Sequence, residues 1–186
     1  MRRICQMAIA PLLLACVAAS APARAQAAEA AVQATFLPKF ARYVGWPPAR
    51  QLAPGRPFQL CVIGQDPYGR MLDIAAAAEQ IDGHGVAVRR LPDDRGADAC
   101  HLAFVQGREP ADTGRLLFAL RSQPILTITA SGAGTGTGGG PQRGMINFAT
   151  VSGRVRFFIN EAEATQRGLT ISSRLLALAA GVTQRR

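Results

Sequence analysis

FQLCVIG, Phe58 to Gly64, followed at once by Gln65-Asp66-Pro67-Tyr68-Gly69, is the stretch on which the fold turns. A short apolar run bounded by Pro57 and Gly64 has the pattern of a strand buried on both faces. Asp66 is then placed to cap a helix, with Pro67 at the first helical position, where its missing N–H costs nothing. Strand, tight turn and capped helix in succession predict an α/β sheet whose strand ends run into loops.

Downstream, the helix is expected from Asp66 to about Gln80. Ile81-Asp82-Gly83-His84-Gly85 reads as a turn and Val86 to Leu91 as a short strand. Cys100 to Gln106 (CHLAFVQ) is a second buried strand, followed by a helix around Asp112 to Arg121 and a third apolar strand, Ile125 to Thr129. Strands alternating with helices predict parallel pairing in this half. Met145 to Thr150 and Arg154 to Ile159 flank Ser152-Gly153, the pattern of a hairpin that adds antiparallel strands near the C-terminal end. Asn160-Glu161-Ala162-Glu163 has the form of a capping box for a short helix that Gly168 ends, and Ile171 to Val182 reads as a last helix burying Leu175, Leu176 and Leu178. The expectation is one α/β domain, its mostly parallel sheet flanked by helices, over residues 26–186 with a core at about 30–182.

Upstream, Val32, Phe36, Phe40 and Val44 recur at four-residue spacing, one face of an amphipathic helix that Pro38 should bend. Gln26 to Glu29 is expected to be a mobile tail. Trp46, the single Trp, is expected to pack the helix end onto the core. Residues 1–25 read as a secretory signal peptide: Arg2-Arg3, an apolar run from Ile4 to Ala19, and Ala23-Arg24-Ala25 as a small-x-small cleavage site. Leu13-Leu14-Ala15-Cys16 resembles a lipobox, and a membrane tether would follow only if Cys16 were lipidated. Leu14 fits that motif poorly, so cleavage after Ala25 is the reading.

Removing Arg2, Arg3 and Arg24 lowers the formal charge from +9 to +6, 18 basic against 12 acidic residues. The mature basic pairs, Arg89-Arg90 and Arg185-Arg186, have no interleaved aromatics, and a nucleic-acid module would carry a denser basic stripe. The balance reads as a solvated basic face, one that could meet an acidic partner or anionic lipid. The run 130–143 holds six glycines in fourteen residues, but no Gly-Lys-Ser or Gly-Lys-Thr follows, so it reads as a surface loop and not a phosphate-binding loop.

Two cysteines remain after the leader, Cys61 and Cys100. An even pair in an oxidising compartment reads as one disulfide, and in a cytosolic chain as two thiols. With no supporting His spacing the pair makes a poor zinc site, and His101 beside Cys100 reads as local coincidence. The catalytic candidates, His84, His101, Asp66 and scattered serines, fall on no recognisable frame, so no enzyme and no cofactor are expected. Gly64 to Gly69 at a helix N-terminus could hold an anion, but the charge of Asp66 opposes one.

Several stretches, in order, resemble the YfiR-like family of bacterial periplasmic proteins. They are Phe36-x-x-Lys39-Phe40-x-x-Tyr43-Val44-x-Trp46-Pro47, Phe58 to Gly69, Cys100-His101, and Gly144-Met145-Ile146-Asn147-Phe148. Gly153-Arg154-Val155-Arg156-Phe157 into Ile159-Asn160, and Gly168 to Leu176, complete the set. The resemblance implies a periplasmic α/β domain that often dimerises. It implies binding to the periplasmic part of a membrane diguanylate cyclase, whose repression lowers cyclic-di-GMP output and biofilm formation. A disulfide is implied to keep the repressor folded, and Cys61 and Cys100 fall where that pair is expected. Some relatives carry a second cysteine pair near the Gly-rich run, which this chain lacks. The partner-binding residues are not read from the sequence, exposed arginines such as Arg154 being candidates only. The alternative reading is a periplasmic small-molecule sensor acting on another membrane receptor.

Overall fold

Phe58–Gly64 forms a strand, β2, with a parallel neighbour on each side, which is why its apolar residues need no alternation. Leu60 stands level with Val88 of β4 (His84–Leu91) and with Leu102 of β5 (Leu102–Gln106). The computed structural model describes residues 21–131 and 143–184.

In chain order, α1 (Ala21–Phe40) runs through a 3-10 turn into β1 (Val44–Gly45). After β2 come α2 (Arg70–Ala77), a two-residue β3 (Gln80–Ile81) and β4. α3 (Pro110–Leu120) links β5 to β6 (Leu126–Ser131). The predicted hairpin is β7 (Ile146–Val151) and β8 (Arg154–Asn160), turning at Ser152-Gly153. α4 (Glu161–Gln166), β9 (Thr170–Ile171), α5 (Ser173–Leu178) and β10 (Gly181–Thr183) finish the fold. The eight-stranded sheet has the order β10-β8-β7-β6-β5-β2-β4-β3, and β1 pairs with β9 in a small antiparallel ribbon. β4, β2, β5, β6 and β7 are mutually parallel, β8 is antiparallel to β7, and β3 antiparallel to β4. The expected α/β domain with its C-terminal hairpin is the one observed.

Side-chain alternation divides β2 between two cores. Phe58, Leu60 and Val62 join α1 and α2 in the larger one, with Leu37, Phe40, Leu72, Phe104 and Phe148. Cys61 and Ile63 face the opposite way, into a smaller core with Leu117 and Leu120 of α3.

Four expectations need correction. α2 runs from Arg70 to Ala77 and not from Asp66 to about Gln80. The turn expected over 81–85 shrinks to 82–83, because Gln80 and Ile81 pair with Gly85 and His84 as β3 and β4. The Asp66 carboxylate accepts the N–H groups of Tyr68 and Gly69 (2.8 and 3.1 Å), closing a local turn, and Gly69 has non-helical φ and ψ. Pro67 therefore lies outside the helix. Second, Gln26 to Glu29 belongs to α1, and Glu29 accepts a hydrogen bond from Gln33 (3.0 Å). Third, α1 buries Ala34, Leu37 and Phe40, while Val32 and Phe36 of the predicted face are exposed. Fourth, the predicted last helix is α5 followed by β10. Residues 181–183 leave the helix because β8 offers them backbone partners, and Leu178 is exposed where burial was expected. The short helix α4 is as predicted, Asn160 accepting the Glu163 N–H at 3.1 Å, with Gly168 (φ +74°) just beyond its end. Of the glycine-rich run 130–143, residues 132–142 lie outside the described residues, and 130–131 are the end of β6.

Candidate functional site

Cys61 points from mid-β2 into the smaller core, and Cys100 sits two residues before β5. They form a disulfide, with Cα atoms 5.9 Å apart and both side chains fully buried. Because β2 and β5 are already neighbours, the bond fastens the segment that leads into β5 to the middle of the sheet. It closes 39 residues of sequence, worth roughly 4 kcal/mol in the loop-entropy model.

The next residue, His101, is fastened just as firmly. Its backbone N–H donates to the Gln59 carbonyl (2.9 Å), its carbonyl accepts from Leu126 (2.9 Å), and Nδ1 accepts the Gln59 N–H (3.1 Å). An acceptor Nδ1 leaves the proton on Nε2, and the ring is held neutral. Burial, with help from the nearby positive charge of Arg50, pushes its pKa down to about 4. The adjacency of His101 to Cys100 thus serves the fold, Cys100 in the disulfide and His101 Nδ1 on the Gln59 N–H. Among the described residues no three His, Cys, Asp or Glu side chains come together as a metal site.

Arg50 and Trp46 close the same joint from outside. The Arg50 guanidinium donates to the carbonyls of Asp98 (2.7 Å) and Cys100, while its buried Nε has no protein partner. Trp46 Nε1 donates to the His101 carbonyl (3.2 Å), and its ring meets Phe58 edge-on at 5.3 Å. Trp46 is half-buried, packed on the core as expected. Arg50 was illegible in the sequence, because its acceptors are main-chain carbonyls nearly fifty residues away.

A cavity of about 320 Å³ lies against this joint, its walls including Trp46, Arg50, Phe58, Asp82, His84 and His101. His84 Nδ1 donates to the Arg56 carbonyl (2.8 Å), and Nε2 of His101 carries that ring's proton. His84 and His101, which fall on no catalytic frame in the sequence, line one hollow in the fold.

Asp66 stands at the other end of β2. Its second oxygen takes Arg90 Nε (2.7 Å), and Arg90 also binds Asp73 (2.9 Å) and the Gly69 carbonyl (2.9 Å). Partial burial works to raise the Asp66 pKa, but Arg90 and the two turn N–H groups outweigh it and hold the carboxyl below its ordinary value. Within the turn the Tyr68 and Gly69 N–H groups are already taken by Asp66, whose own charge opposes an anion there. Arg154 is exposed on β8 and makes no described contact that would mark it out.

No curated protein matches the chain. A family model does, over residues 30–180, and it covers β1 to α5, the disulfide and the joint around His101. That family is one of periplasmic regulators. On this match the chain belongs to the YfiR/HmsC-like family.

Proposed function

We propose that the chain, freed of a leader cut after Ala25, is a non-catalytic periplasmic regulator that binds the periplasmic part of an inner-membrane diguanylate cyclase. Binding represses the cyclase and lowers cyclic-di-GMP. Family membership across residues 30–180 carries this reading. Repression requires the regulator to bind the inactive arrangement of the cyclase more tightly than the active one, since equal affinity shifts nothing. The buried Cys61–Cys100 bond supports an accompanying role in keeping the regulator folded. The test is crosslinking in intact cells, with captured partners identified by mass spectrometry and cyclic-di-GMP measured in a deletion strain. A membrane diguanylate cyclase among the products, and raised cyclic-di-GMP on deletion, are expected. Capture of a different receptor with unchanged cyclic-di-GMP would replace the pathway.

The cavity beside His101 favours one second reading, a small-molecule sensor. Two imidazoles line a hollow walled by Trp46 and Phe58, a composition suited to a small partly apolar ligand. Saturable binding of a metabolite to the pure protein, abolished by His101→Ala, would establish it.

A further inference from the structure

We propose that the Cys61–Cys100 bond is closed to reductants in the folded protein, and that Arg50 is the latch on the segment whose release opens it. Both cysteines are fully buried, among Ala97, Val105, Leu117 and Leu120 of the smaller core. A thiolate reduces a disulfide by direct attack on sulfur, so its rate depends on access as well as on its own reactivity. With neither cysteine accessible to solvent, attack waits for a local opening of the structure.

The two sides of the bond do not open equally. Cys61 lies in mid-β2, level with Arg89 of β4 on one side and Ala103 of β5 on the other, so moving it means parting the sheet. Cys100 lies outside the ladder, directly after the 3-10 turn Ala97–Ala99. Its N–H bonds the Ala97 carbonyl (2.8 Å), and the Ala97 N–H bonds the Asp94 carbonyl (3.1 Å), so these bonds travel with the turn. Among the described residues, the hydrogen bonds that tie 97–100 to another element come from the Arg50 guanidinium, to the carbonyls of Asp98 and Cys100. Arg50 ends a separate 3-10 turn, Pro48–Arg50, and bonds from an ionised donor are about twice as strong as neutral ones. His101 then returns the chain to the sheet, its N–H on the Gln59 carbonyl (2.9 Å). The segment is thus hinged at His101 and fastened by Arg50.

Reduction by a dithiol follows the release of the turn from Arg50. One thiolate of the dithiol attacks a cysteine sulfur, forming a mixed disulfide and expelling the other cysteine as a thiolate. The second thiol displaces the first cysteine, and the protons of the dithiol pass to the two cysteines. Two cysteine thiols and one oxidised dithiol result. Such a gate places redox control before folding: a reductant acts on newly exported, unfolded chains, whereas a folded regulator keeps its bond. The gate does not depend on which partner the regulator binds.

The experiment exposes the purified, oxidised protein to dithiothreitol at several urea concentrations below the unfolding transition. Thiols are trapped by alkylation and counted by mass spectrometry, and global unfolding is followed by circular dichroism under the same conditions. The parent should be reduced roughly a hundredfold or more slower than oxidised glutathione, with a urea dependence shallower than that of global unfolding. Arg50→Ala should speed reduction about tenfold or more, a larger change than in its global unfolding rate. Arg50→Lys keeps the charge without the forked donor, so it should fall between the two, and it serves where Arg50→Ala does not fold. Arg154→Ala, at an exposed arginine of β8, should match the parent. Reduction of the parent as fast as oxidised glutathione overturns the proposal, as do Arg50 variants reduced no faster than the parent. So does reduction that follows global unfolding with the same urea slope in every variant, which would make the whole fold the gate.

Discussion

Nδ1 of His101 accepts the backbone N–H of Gln59 at 3.1 Å, one residue beyond the disulfide-bonded Cys100. Protonating that nitrogen would set two donors against each other at the joint between β2 and β5. The relationship makes the neutral ring part of the fold, and it fixes the sign of a pH effect.

In the folded protein His101 titrates at about 4, against an ordinary value of 6.5. Between these values the unfolded chain binds the proton and the folded chain does not, so stability falls as pH drops from 6.5 towards 4. His101 is only partly buried, and solvent screening limits the effect to on the order of 1–2 kcal/mol. Thermal melts from pH 7 to pH 4.5 should show this decline. His101→Asn, which keeps an acceptor but cannot titrate, should flatten it, and an unchanged slope in that variant would refute the assignment.

Loss of the disulfide should weaken folding and repression together. Cys61→Ser and Cys100→Ser should each lower stability by roughly 2–5 kcal/mol, measured by urea denaturation. Cyclic-di-GMP should rise in cells carrying either variant. Unchanged stability and repression in both would remove the disulfide from the mechanism.

The Asp66 turn separates two contributions in one side chain. Asp66→Asn keeps an oxygen for the Tyr68 and Gly69 N–H groups and loses the charge facing Arg90, a change of about 0.5 kcal/mol for a surface pair. Asp66→Ala loses both and should cost about 1–2 kcal/mol. Because the folded pKa of Asp66 is depressed, its contribution is present above the ordinary carboxylate range and is lost as pH falls below it. This window lies below that of His101, so melts below pH 4 should distinguish Asp66→Asn from the parent least.

Gly64 admits no side chain. Its φ is +88°, and a Cβ there would stand 2.2 Å from the Gln106 carbonyl oxygen, the atom that accepts the Gln65 N–H. Gly64→Ala must shift the end of β2 away from β5 and should cost more than about 2 kcal/mol. Chemical denaturation measures it, and a loss under 0.5 kcal/mol on the same scale would show that the strand end yields freely.

Local pattern carried most of the architecture. The unbroken apolar run of β2, the Ser152-Gly153 turn of the hairpin and the Asn160 cap of α4 are decided by residues within a few positions of one another. The cysteine pair was legible for a different reason, since only two cysteines follow residue 25. Helix limits were less legible. Asp66 has the composition of a cap, yet its carboxylate closes a turn before the helix starts, a choice made by Gly69 and by Tyr68 reaching Gln33 in the core.

What the sequence by itself determined was the order of the principal elements, β2, α2, β4, β5, α3, β6, β7, β8 and α4, because periodicity and turn chemistry act between near neighbours. Only the tertiary structure decided which side of α1 is buried, that residues 181–183 become a strand, and that Arg50, His84 and His101 meet at one hollow. Those outcomes depend on partners 28 to 50 residues away or on another element's free edge. Backbone carbonyls and strand edges look alike in every residue, so such partners leave no mark in the sequence until the chain has folded.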